Sequence, residues 1–247
     1  MSGSTAFLLI FLAFNVHSTN NIKMTDATIK QATEISDSAA LQYLVREPQV
    51  KSPKNKAIIL LHGVGSNEQD LFSLASQLPN DFYIIAPRGQ YTLGAGRYAW
   101  YNVDFSTGKP VYNTDQELSS RKAIGSFIRQ VKEKYDLDEI YLGGFSQGAI
   151  MSYSIGLLYP NEVKGVIAFS GRLLEELKPL VKKGGYLQEL KVFVAHGMQD
   201  NTLPIHYARE AKHYIESLGI KVSYHEYTLG HQISSEVVRD LNSWLID

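Results

Sequence analysis

The chain has 247 residues, 44% of them hydrophobic and 20% charged, which suits one sizeable α/β domain with a substantial core. Its formal net charge of −1 and its scattered Lys and Arg residues give no indication of a nucleic-acid partner. The absence of cysteine excludes disulfides, thiolate metal ligands and cysteine nucleophiles, and it is compatible with either redox compartment.

An apolar run, AFLLIFLAFNV at 6–16, stands near the N-terminus. It is too short to cross a bilayer, so no stable membrane insertion is expected, but it has the size of a signal-peptide core with cleavage after Ser18. That interpretation predicts a secreted or periplasmic protein. No Lys or Arg precedes the run, and the alternative is a cytoplasmic protein that starts at Met24. In either case we expect a signal-like leader and polar linker over residues 1–35, outside the fold, and one domain over residues 36–247.

From residue 41 onward, short apolar runs alternate with segments of helical periodicity. The apolar runs predict strands at 41–45, 57–61, 82–87, 139–146, 165–171, 191–197 and 221–229. The periodic segments predict helices at 66–78, 115–135, 147–159, 204–218 and 232–246. This alternation predicts a mostly parallel sheet with helices on both faces, and a long Gly- and aromatic-rich loop remains at 88–114.

Two details of the predicted helices can be checked. Ser66 and Gln69 stand at capping-box spacing at the start of the first helix. The second helix has its apolar residues near helical spacing, and they are Leu118, Ile124, Ile128, Val131 and Tyr135.

Polar residues follow four of the predicted strands, in the segments HGVGSN, FSQG, HGMQD and GHQ. Three of these residues, Ser146, Asp200 and His231, supply a hydroxyl nucleophile, a carboxylate and an imidazole base. A serine nucleophile needs a base to take its proton and a carboxylate to orient that base. In a parallel sheet such groups meet beyond the carboxyl ends of the strands, and the chain order Ser, Asp, His suits this topology.

The segment around Ser146 has the pattern G-x-S-x-G between a strand and a helix. Gly144 and Gly148 leave room for a tight turn that exposes the hydroxyl above the sheet. The N–H of Gln147 is then directed at the oxygen that becomes negative in acyl transfer, and the N–H of Val64 is the candidate for the second donor.

Residues 40–247 resemble the phospholipase/carboxylesterase family of α/β-hydrolases, which includes acyl-protein thioesterases and small bacterial carboxylesterases. The matching segments are LLHGVGSNEQDL (60–71), APRG (86–89), RYAWY (97–101), GGFSQGAIMS (143–152), HGMQDNTLP (196–204) and GHQIS (230–234). The resemblance implies Ser146 as nucleophile, Asp200 as acid and His231 as base. It also implies an oxyanion hole at Val64 and Gln147, and a mechanism that needs no metal or other cofactor. The N-terminal 35 residues depart from the pattern, because many members have no leader.

The family pattern favours Trp100 in the aromatic loop as a substrate-binding residue. Leu203, just after the acid segment, is a second candidate for the wall of the acyl pocket. The alternative is that the loop aromatics pack on one another. His62 and His196 precede glycines at strand ends, and we interpret them as structural, hydrogen-bonded histidines because no carboxylate cluster accompanies them.

The sequence thus predicts a serine carboxylesterase for small-molecule esters with short to medium acyl chains, with thioesters or lysophospholipids as further candidates. No long insertion interrupts the predicted elements, so no large lid domain is expected. A peptidase or lactone hydrolase with the same triad, and a non-catalytic ligand-binding homologue, remain alternatives. The sequence leaves a homodimer open.

Overall fold

A computed structural model describes residues 30–31, 41–104, 106 and 110–246. The predicted signal core at 6–16, its cleavage after Ser18 and the alternative start at Met24 lie outside these residues. Part of the predicted leader and linker is described: Lys30–Gln31 forms a short strand at one edge of the sheet.

The strands of the main sheet are β1 (Lys30–Gln31), β2 (Tyr43–Arg46), β3 (Lys56–Leu61), β4 (Phe82–Pro87), β9 (Glu139–Phe145), β10 (Gly165–Phe169), β11 (Lys191–Gly197) and β12 (Val222–Tyr227). Two small strand pairs, β5 (Tyr91–Gly94) with β6 (Arg97–Ala99) and β7 (Val103–Asp104) with β8 (Val111–Tyr112), lie apart from it. The helices are α1 (Glu68–Phe72), α2 (Thr114–Lys134), α3 (Gln147–Leu158), α4 (His206–Ser217) and α5 (Ser235–Ile246).

The main sheet has the strand order β1-β2-β4-β3-β9-β10-β11-β12. β1 and β2 pair antiparallel, as do β2 and β4, whereas every pair from β4 to β12 is parallel. The strands β3, β4, β9, β10, β11 and β12 therefore all end at the same edge of the sheet. The prediction of a mostly parallel sheet is confirmed.

Two apolar clusters cover the two faces of the sheet, because alternate side chains of each strand point to opposite faces. In β3, Ile59 and Leu61 belong to the cluster formed with α2, α3 and α4, while Ile58 and Leu60 belong to the cluster formed with α1 and α5. The central strands are almost completely buried. This explains why their sequences read as continuous apolar runs.

The predicted helix at 66–78 is correct in place but wrong in detail. α1 ends at Phe72 and a 3₁₀ segment, Ser73–Gln77, continues it. Asn67, not Ser66, is the N-cap, and its side chain accepts a hydrogen bond from the N–H of Gln69 at 2.9 Å. The hydroxyl of Ser66 instead donates to the carboxylate of Asp70 at 2.5 Å.

The apolar face predicted for α2 is correct except at its start. Ile124, Ile128 and Val131 are buried, whereas Leu118 is 40% exposed. Leu118 lies in the second turn, where the buried positions are taken by the ion-paired Glu117 and Arg121.

The predicted loop at 88–114 contains the two small strand pairs and folds back over the site edge of the sheet. Tyr98 exchanges backbone hydrogen bonds with the segment after β3: its N–H donates to the oxygen of Ser66 at 2.8 Å, and its oxygen accepts from the N–H of Gly65 at 2.7 Å. In the described residues, no lid domain accompanies these strands. Nor does that part of the chain include a helix that is long and apolar enough to cross a membrane.

Candidate active site

The residues predicted to act in catalysis lie at the carboxyl edge of the parallel strands. Ser146 directly follows β9, Asp200 follows β11, and His231 follows β12. β3, which pairs with β9, leads into His62 and the glycine-rich segment beyond it. The topology thus brings these four chain segments to one side of the domain.

Ser146 occupies a strained turn between β9 and α3. Its backbone has φ 54° and ψ −114°, a conformation that L-residues adopt only when the surrounding structure enforces it. Its N–H donates to the oxygen of Phe169 in β10 at 3.0 Å, and its own oxygen accepts from Ile150 in α3 at 3.1 Å. The turn is thereby fixed on both sides.

The two glycines beside Ser146 are required because the backbone passes too close for any side chain. A Cβ atom on Gly144 would lie 2.3 Å from the carbonyl carbon of Gly148. A Cβ atom on Gly148 would lie 1.9 Å from the carbonyl oxygen of Leu61 in β3. The glycines of G-x-S-x-G therefore allow α3 to start directly against β3 and β9.

The predicted acid and base are in direct contact. His231 Nδ1 lies 2.7 Å from Asp200 Oδ2, and Asp200 Oδ1 accepts hydrogen bonds from the N–H groups of Thr202 at 2.9 Å and Leu203 at 2.8 Å. In this hydrogen bond the N–H of Nδ1 donates to the carboxylate. Nε2 of the neutral imidazole therefore has a free lone pair and can accept a proton. The imidazole ring packs against the ring of Phe145, the residue before the predicted nucleophile, with centroids 4.6 Å apart.

The electrostatics of this pair keep the carboxylate charged. Asp200 is only 4% exposed, and burial alone would raise its pKa. The hydrogen bond and charge of His231, together with the N–H groups of Leu203 and Thr202, outweigh burial and hold the pKa of Asp200 below its ordinary value. The carboxylate is therefore ionised at neutral pH and can stabilise a protonated imidazole.

Backbone contacts between two loops bring the acid to the base. The N–H of Met198 donates to the oxygen of Tyr227 at 2.8 Å, and that of Gln199 donates to the oxygen of Leu229 at 2.9 Å. A Cβ atom on Gly197 would lie 2.3 Å from the oxygens of both Leu229 and Gly230. The glycine that ends β11 thus permits the close approach of the loop that carries His231.

The candidate oxyanion-hole amides flank the serine turn. A Cβ atom on Gly63 would lie 3.5 Å from the Cβ of Ser146, so the segment that leads into Val64 runs directly beside the predicted nucleophile. Gln147 is the first residue of α3, where backbone N–H groups have no partner within the helix. The segment that leads into Val64 therefore lies beside Ser146, and donation by the N–H groups of Val64 and Gln147 stays a prediction.

The side chain of Gln147 has a structural function that the sequence did not reveal. Its Oε1 accepts from the N–H of Trp100 at 2.8 Å, and its Nε2 donates to the oxygen of Tyr101 at 2.7 Å. The side chain is 3% exposed. The residue after the predicted nucleophile thus fastens the aromatic loop to the start of α3, a contact for which no sequence signal exists.

Trp100 occupies a different position from the pocket wall expected. It is fully buried, and its indole N–H donates to the carbonyl oxygen of His62 at 2.9 Å. Its ring lies 5.3 Å from the His62 ring, centroid to centroid. The indole therefore packs against the turn after β3, and it has no exposed surface that a substrate could contact in this structure.

His62 is a buried neutral histidine that joins two loops. Its Nδ1 donates to the oxygen of Gly63 at 2.8 Å, and its Nε2 accepts from the N–H of Gly89 at 2.9 Å. Burial lowers its pKa. Both ring nitrogens are occupied by backbone groups, in agreement with the predicted structural role.

His196 supports the turn that holds the acid. Its Nε2 donates to the carbonyl oxygen of Leu203 at 2.6 Å and lies 3.4 Å from Asp200 Oδ2. Burial lowers the pKa of this imidazole, and its Nδ1 is buried without a hydrogen-bond partner among the described residues. The backbone of Leu203 is held on one side by His196 and on the other by Asp200, and its side chain is half-buried. A contact between that side chain and the substrate stays a prediction.

Comparison with known proteins places the chain in a family. The family model described as Phospholipase/Carboxylesterase matches residues 45–246. The chain is 29% identical to "Acyl-protein thioesterase 1" of Kluyveromyces lactis, covering 81% of this chain and 95% of the relative. It is 27% identical to "Lysophospholipase-like protein 1" of Mus musculus, covering 84% of this chain and 95% of the relative.

A solved structure shows the same fold. The carboxylesterase from Mesorhizobium loti superposes with a TM-score of 0.72 at 20% identity, covering 88% of this chain and 99% of that one. At this identity the likeness concerns the fold, and the sequence comparisons carry the family assignment. The chain therefore belongs to the phospholipase/carboxylesterase family of α/β-hydrolases, and it is a hydrolase of carboxylic esters.

Proposed function

We propose that this protein is a serine carboxylesterase that hydrolyses short- to medium-chain carboxylic esters through Ser146, His231 and Asp200. The observation that carries the proposal is the 2.7 Å contact between His231 Nδ1 and Asp200 Oδ2 at the sheet edge where Ser146 occupies its strained turn. A serine held at a positive φ beside such a pair matches the requirements of nucleophilic catalysis.

The first half of the reaction forms an acyl-enzyme. His231 Nε2 takes the hydroxyl proton of Ser146 as the oxygen attacks the carbonyl carbon of the ester. Asp200 keeps the imidazole in the required tautomer and stabilises its positive charge. The N–H groups of Val64 and Gln147 stabilise the oxyanion, and loss of one such donor typically raises the barrier by about 3 kcal/mol.

The remaining steps release first the alcohol, which completes the acyl-enzyme, and then the acid. When the tetrahedral intermediate collapses, the bond to the alcohol breaks and the protonated His231 gives its proton to the leaving oxygen. The acyl group is then an ester of Ser146. His231 next takes a proton from water, the resulting hydroxide attacks the acyl carbon, and Ser146 regains its proton as the carboxylic acid leaves.

The substrate range is inferred from the relatives and from the elements of the described residues. The two relatives compared are named as a thioesterase and as lysophospholipase-like, which makes thioesters and lysophospholipids candidates here beside simple esters. A thiol is a better leaving group than an alcohol and needs no different machinery. Because the described residues contain no lid domain, we expect weak activity on emulsified long-chain lipids.

The test combines turnover with covalent labelling of the nucleophile. Purified protein should hydrolyse 4-nitrophenyl butyrate, and a fluorophosphonate probe should modify Ser146. Ser146→Ala should abolish both at unchanged thermal stability, whereas Ser217→Ala, which removes an exposed serine hydroxyl in α4, should change neither. Folded protein that resists the probe would favour a ligand-binding homologue. Faster cleavage of an amide or a lactone than of matched esters would instead favour the alternative hydrolases.

A further inference from the structure

The loop that follows β10 carries an arginine at the same sheet edge as the predicted nucleophile. β10 lies between β9 and β11 in the sheet, so the segments that carry the predicted nucleophile and acid flank its carboxyl end. The oxygen of Phe169 accepts from the N–H of Ser146 at 3.0 Å, and the N–H of Ser170 donates to the oxygen of Ala195 at 2.9 Å. Arg172 stands two residues beyond this junction.

The backbone of this loop crosses the first turn of α3. A Cβ atom on Gly171 would lie 2.6 Å from the Cβ of Ala149, the third residue of that helix. Arg172, which follows, is half-buried. Its guanidinium lies over the ring of Tyr207, in the first turn of α4, at 5.9 Å from the ring centroid. The loop thus packs against the start of α3, and the side chain of Arg172 reaches the helix that follows the acid segment.

The aromatic loop lies near this arginine. Burial raises the pKa of the Tyr101 and Tyr112 hydroxyls, the charge of Arg172 opposes that shift, and the two rings contact each other at 5.5 Å. The backbone oxygen of Tyr101 is bound by the side chain of Gln147, next to the nucleophile. Arg172 therefore lies near three tyrosines, and one of them, Tyr101, is bound through its backbone oxygen to the residue after the predicted nucleophile.

Arg172 forms no ion pair with a carboxylate of the described residues. Within the part of the chain that the structure describes, no carboxylate oxygen lies within 4.0 Å of its guanidinium nitrogens. Other arginines of the chain do have carboxylate partners, namely Arg88, Arg121, Arg129, Arg209 and Arg239. The acidic residues near the tyrosines have other partners: Glu117 pairs with Arg121, and Glu176 acts on the hydroxyl of Tyr112.

We propose that Arg172 is a specificity residue that binds an anionic group, a carboxylate or a phosphate, carried by the ester substrate several atoms from the scissile carbonyl. The inference rests on the proposed function, since it assigns a substrate class to the same site. A guanidinium held on an aromatic face keeps the edges of its planar fork available, and that fork matches carboxylate and phosphate oxygens. Partial burial strengthens such a contact compared with one in open water.

The first arm of the test compares two esters that differ only at the end of the acyl chain, a methyl group in one and a carboxylate in the other. The pair is 4-nitrophenyl pentanoate and the mono-4-nitrophenyl ester of glutaric acid, which carries a carboxylate at the end of the acyl chain. The readout is the ratio of kcat/KM for the charged ester to kcat/KM for the neutral ester. This ratio is independent of the fraction of protein that is folded, so a destabilised variant remains informative.

The second arm places the anion on the alcohol side. The pair is 1-butyrylglycerol and 1-butyrylglycerol 3-phosphate, followed by titration of the released acid. Arg172→Gln should lower the charged-to-neutral ratio about tenfold in at least one arm, the arm affected identifying where the anion binds. Arg172→Lys should retain part of the ratio, and added NaCl should reduce it for the wild type.

The matched control is Arg129→Gln, which removes an exposed arginine of α2 paired with Glu162. Its ratios should equal those of the wild type. Equal effects of Arg172→Gln on the charged and neutral esters in both arms would overturn the proposal while leaving the esterase function intact. If none of the four esters is hydrolysed and the fluorophosphonate does not label Ser146, the proposed function itself is refuted.

Discussion

Replacing Gly148 by alanine should disable the predicted nucleophile without removing any catalytic side chain. The new Cβ would lie 1.9 Å from the carbonyl oxygen of Leu61, 2.5 Å from its carbonyl carbon and 2.8 Å from the oxygen of His62. All three atoms belong to backbone, so no side chain can rotate away. The first turn of α3 must therefore move relative to the end of β3.

The contact between the new Cβ atom and the oxygen of Leu61 shows how far the first turn of α3 must move. Real Cβ atoms essentially never approach within 3.0 Å of such an atom, so the 1.9 Å contact of Gly148→Ala must open by about 1.1 Å. A displacement of that size at Ser146 and Gln147 should lower kcat/KM about 100-fold, because catalysis depends on near-attack geometry. The same overpacking should destabilise the fold by about 1–3 kcal/mol.

The assay is hydrolysis of 4-nitrophenyl butyrate, with urea denaturation to measure the free energy of unfolding. Gly125→Ala is the matched control, since Gly125 is also a buried helical glycine and a Cβ there would meet only the end of the flexible Arg129 side chain at 3.8 Å. That control should keep full activity and gain about 0.5–1 kcal/mol of stability. A Gly148→Ala protein with kcat/KM within about threefold of the wild type would refute the reasoning.

Three further predictions concern the acid, its supporting histidine and a buried arginine. Asp200→Asn should lower kcat about 10⁴-fold, measured by ester hydrolysis. The pKa of Asp200 is lower in the folded protein than its ordinary value, so the ionised carboxylate stabilises the fold above the ordinary carboxyl range. That stabilisation is lost as the pH falls through the lowered pKa. The Tm difference between wild type and Asp200→Asn should therefore shrink below about pH 4. His196→Leu should leave the oxygen of Leu203 without its donor and destabilise the fold by about 1–3 kcal/mol in urea, with a fall in kcat; a variant as stable and active as the wild type would show that the contact is dispensable. Arg46→Met should destabilise the fold by about 3 kcal/mol at unchanged kcat, because the guanidinium donates to the carbonyl oxygens of Ala75, Leu78, Pro79 and Phe82; an unfolding free energy within about 1 kcal/mol of the wild type would contradict this account.

The buried parallel strands were the most predictable part of the fold. β3, β9 and β11 are apolar on both faces and run into glycine or polar residues at their carboxyl ends, so their positions and the common edge follow from the pattern alone. The strands that the sequence did not predict are short. β1 has two residues, and the small strand pairs β5–β6 and β7–β8 depend on tertiary contacts rather than on a repeating apolar pattern.

Local signals competed at the helix starts. Both Ser66 and Asn67 are good N-cap residues, and the structure uses Asn67 because Ser66 is already bridged to Tyr98 and bound to Asp70. Leu118 fits helical spacing, but its neighbours Glu117 and Arg121 form a buried ion pair that no apolar pattern indicates.

In the site, residue types were predictable and side-chain directions were not. The sequence places Ser146, Asp200 and His231 at strand ends, and the contact between the acid and the base agrees with that placement. The burial of Trp100 was not predictable, since an aromatic residue in a loop beside a nucleophile can face either the core or a ligand. In the structure, the side chain of Gln147 binds the backbone of the aromatic loop, and the indole N–H of Trp100 donates to the oxygen of His62.

Because β12 lies at the edge of the sheet, the segments that carry the catalytic residues should unfold in a definite order. β9, which leads into Ser146, is paired on both sides and almost wholly buried. Among the described strands, β12, which leads into His231, pairs only with β11, and it is partly exposed along most of its length. Local opening begins where neighbours are fewest. Under mild denaturing conditions the imidazole of His231 would therefore leave the site while the turn that holds Ser146 kept its backbone geometry. Esterase activity would then be lost before the circular-dichroism signal of the remaining sheet.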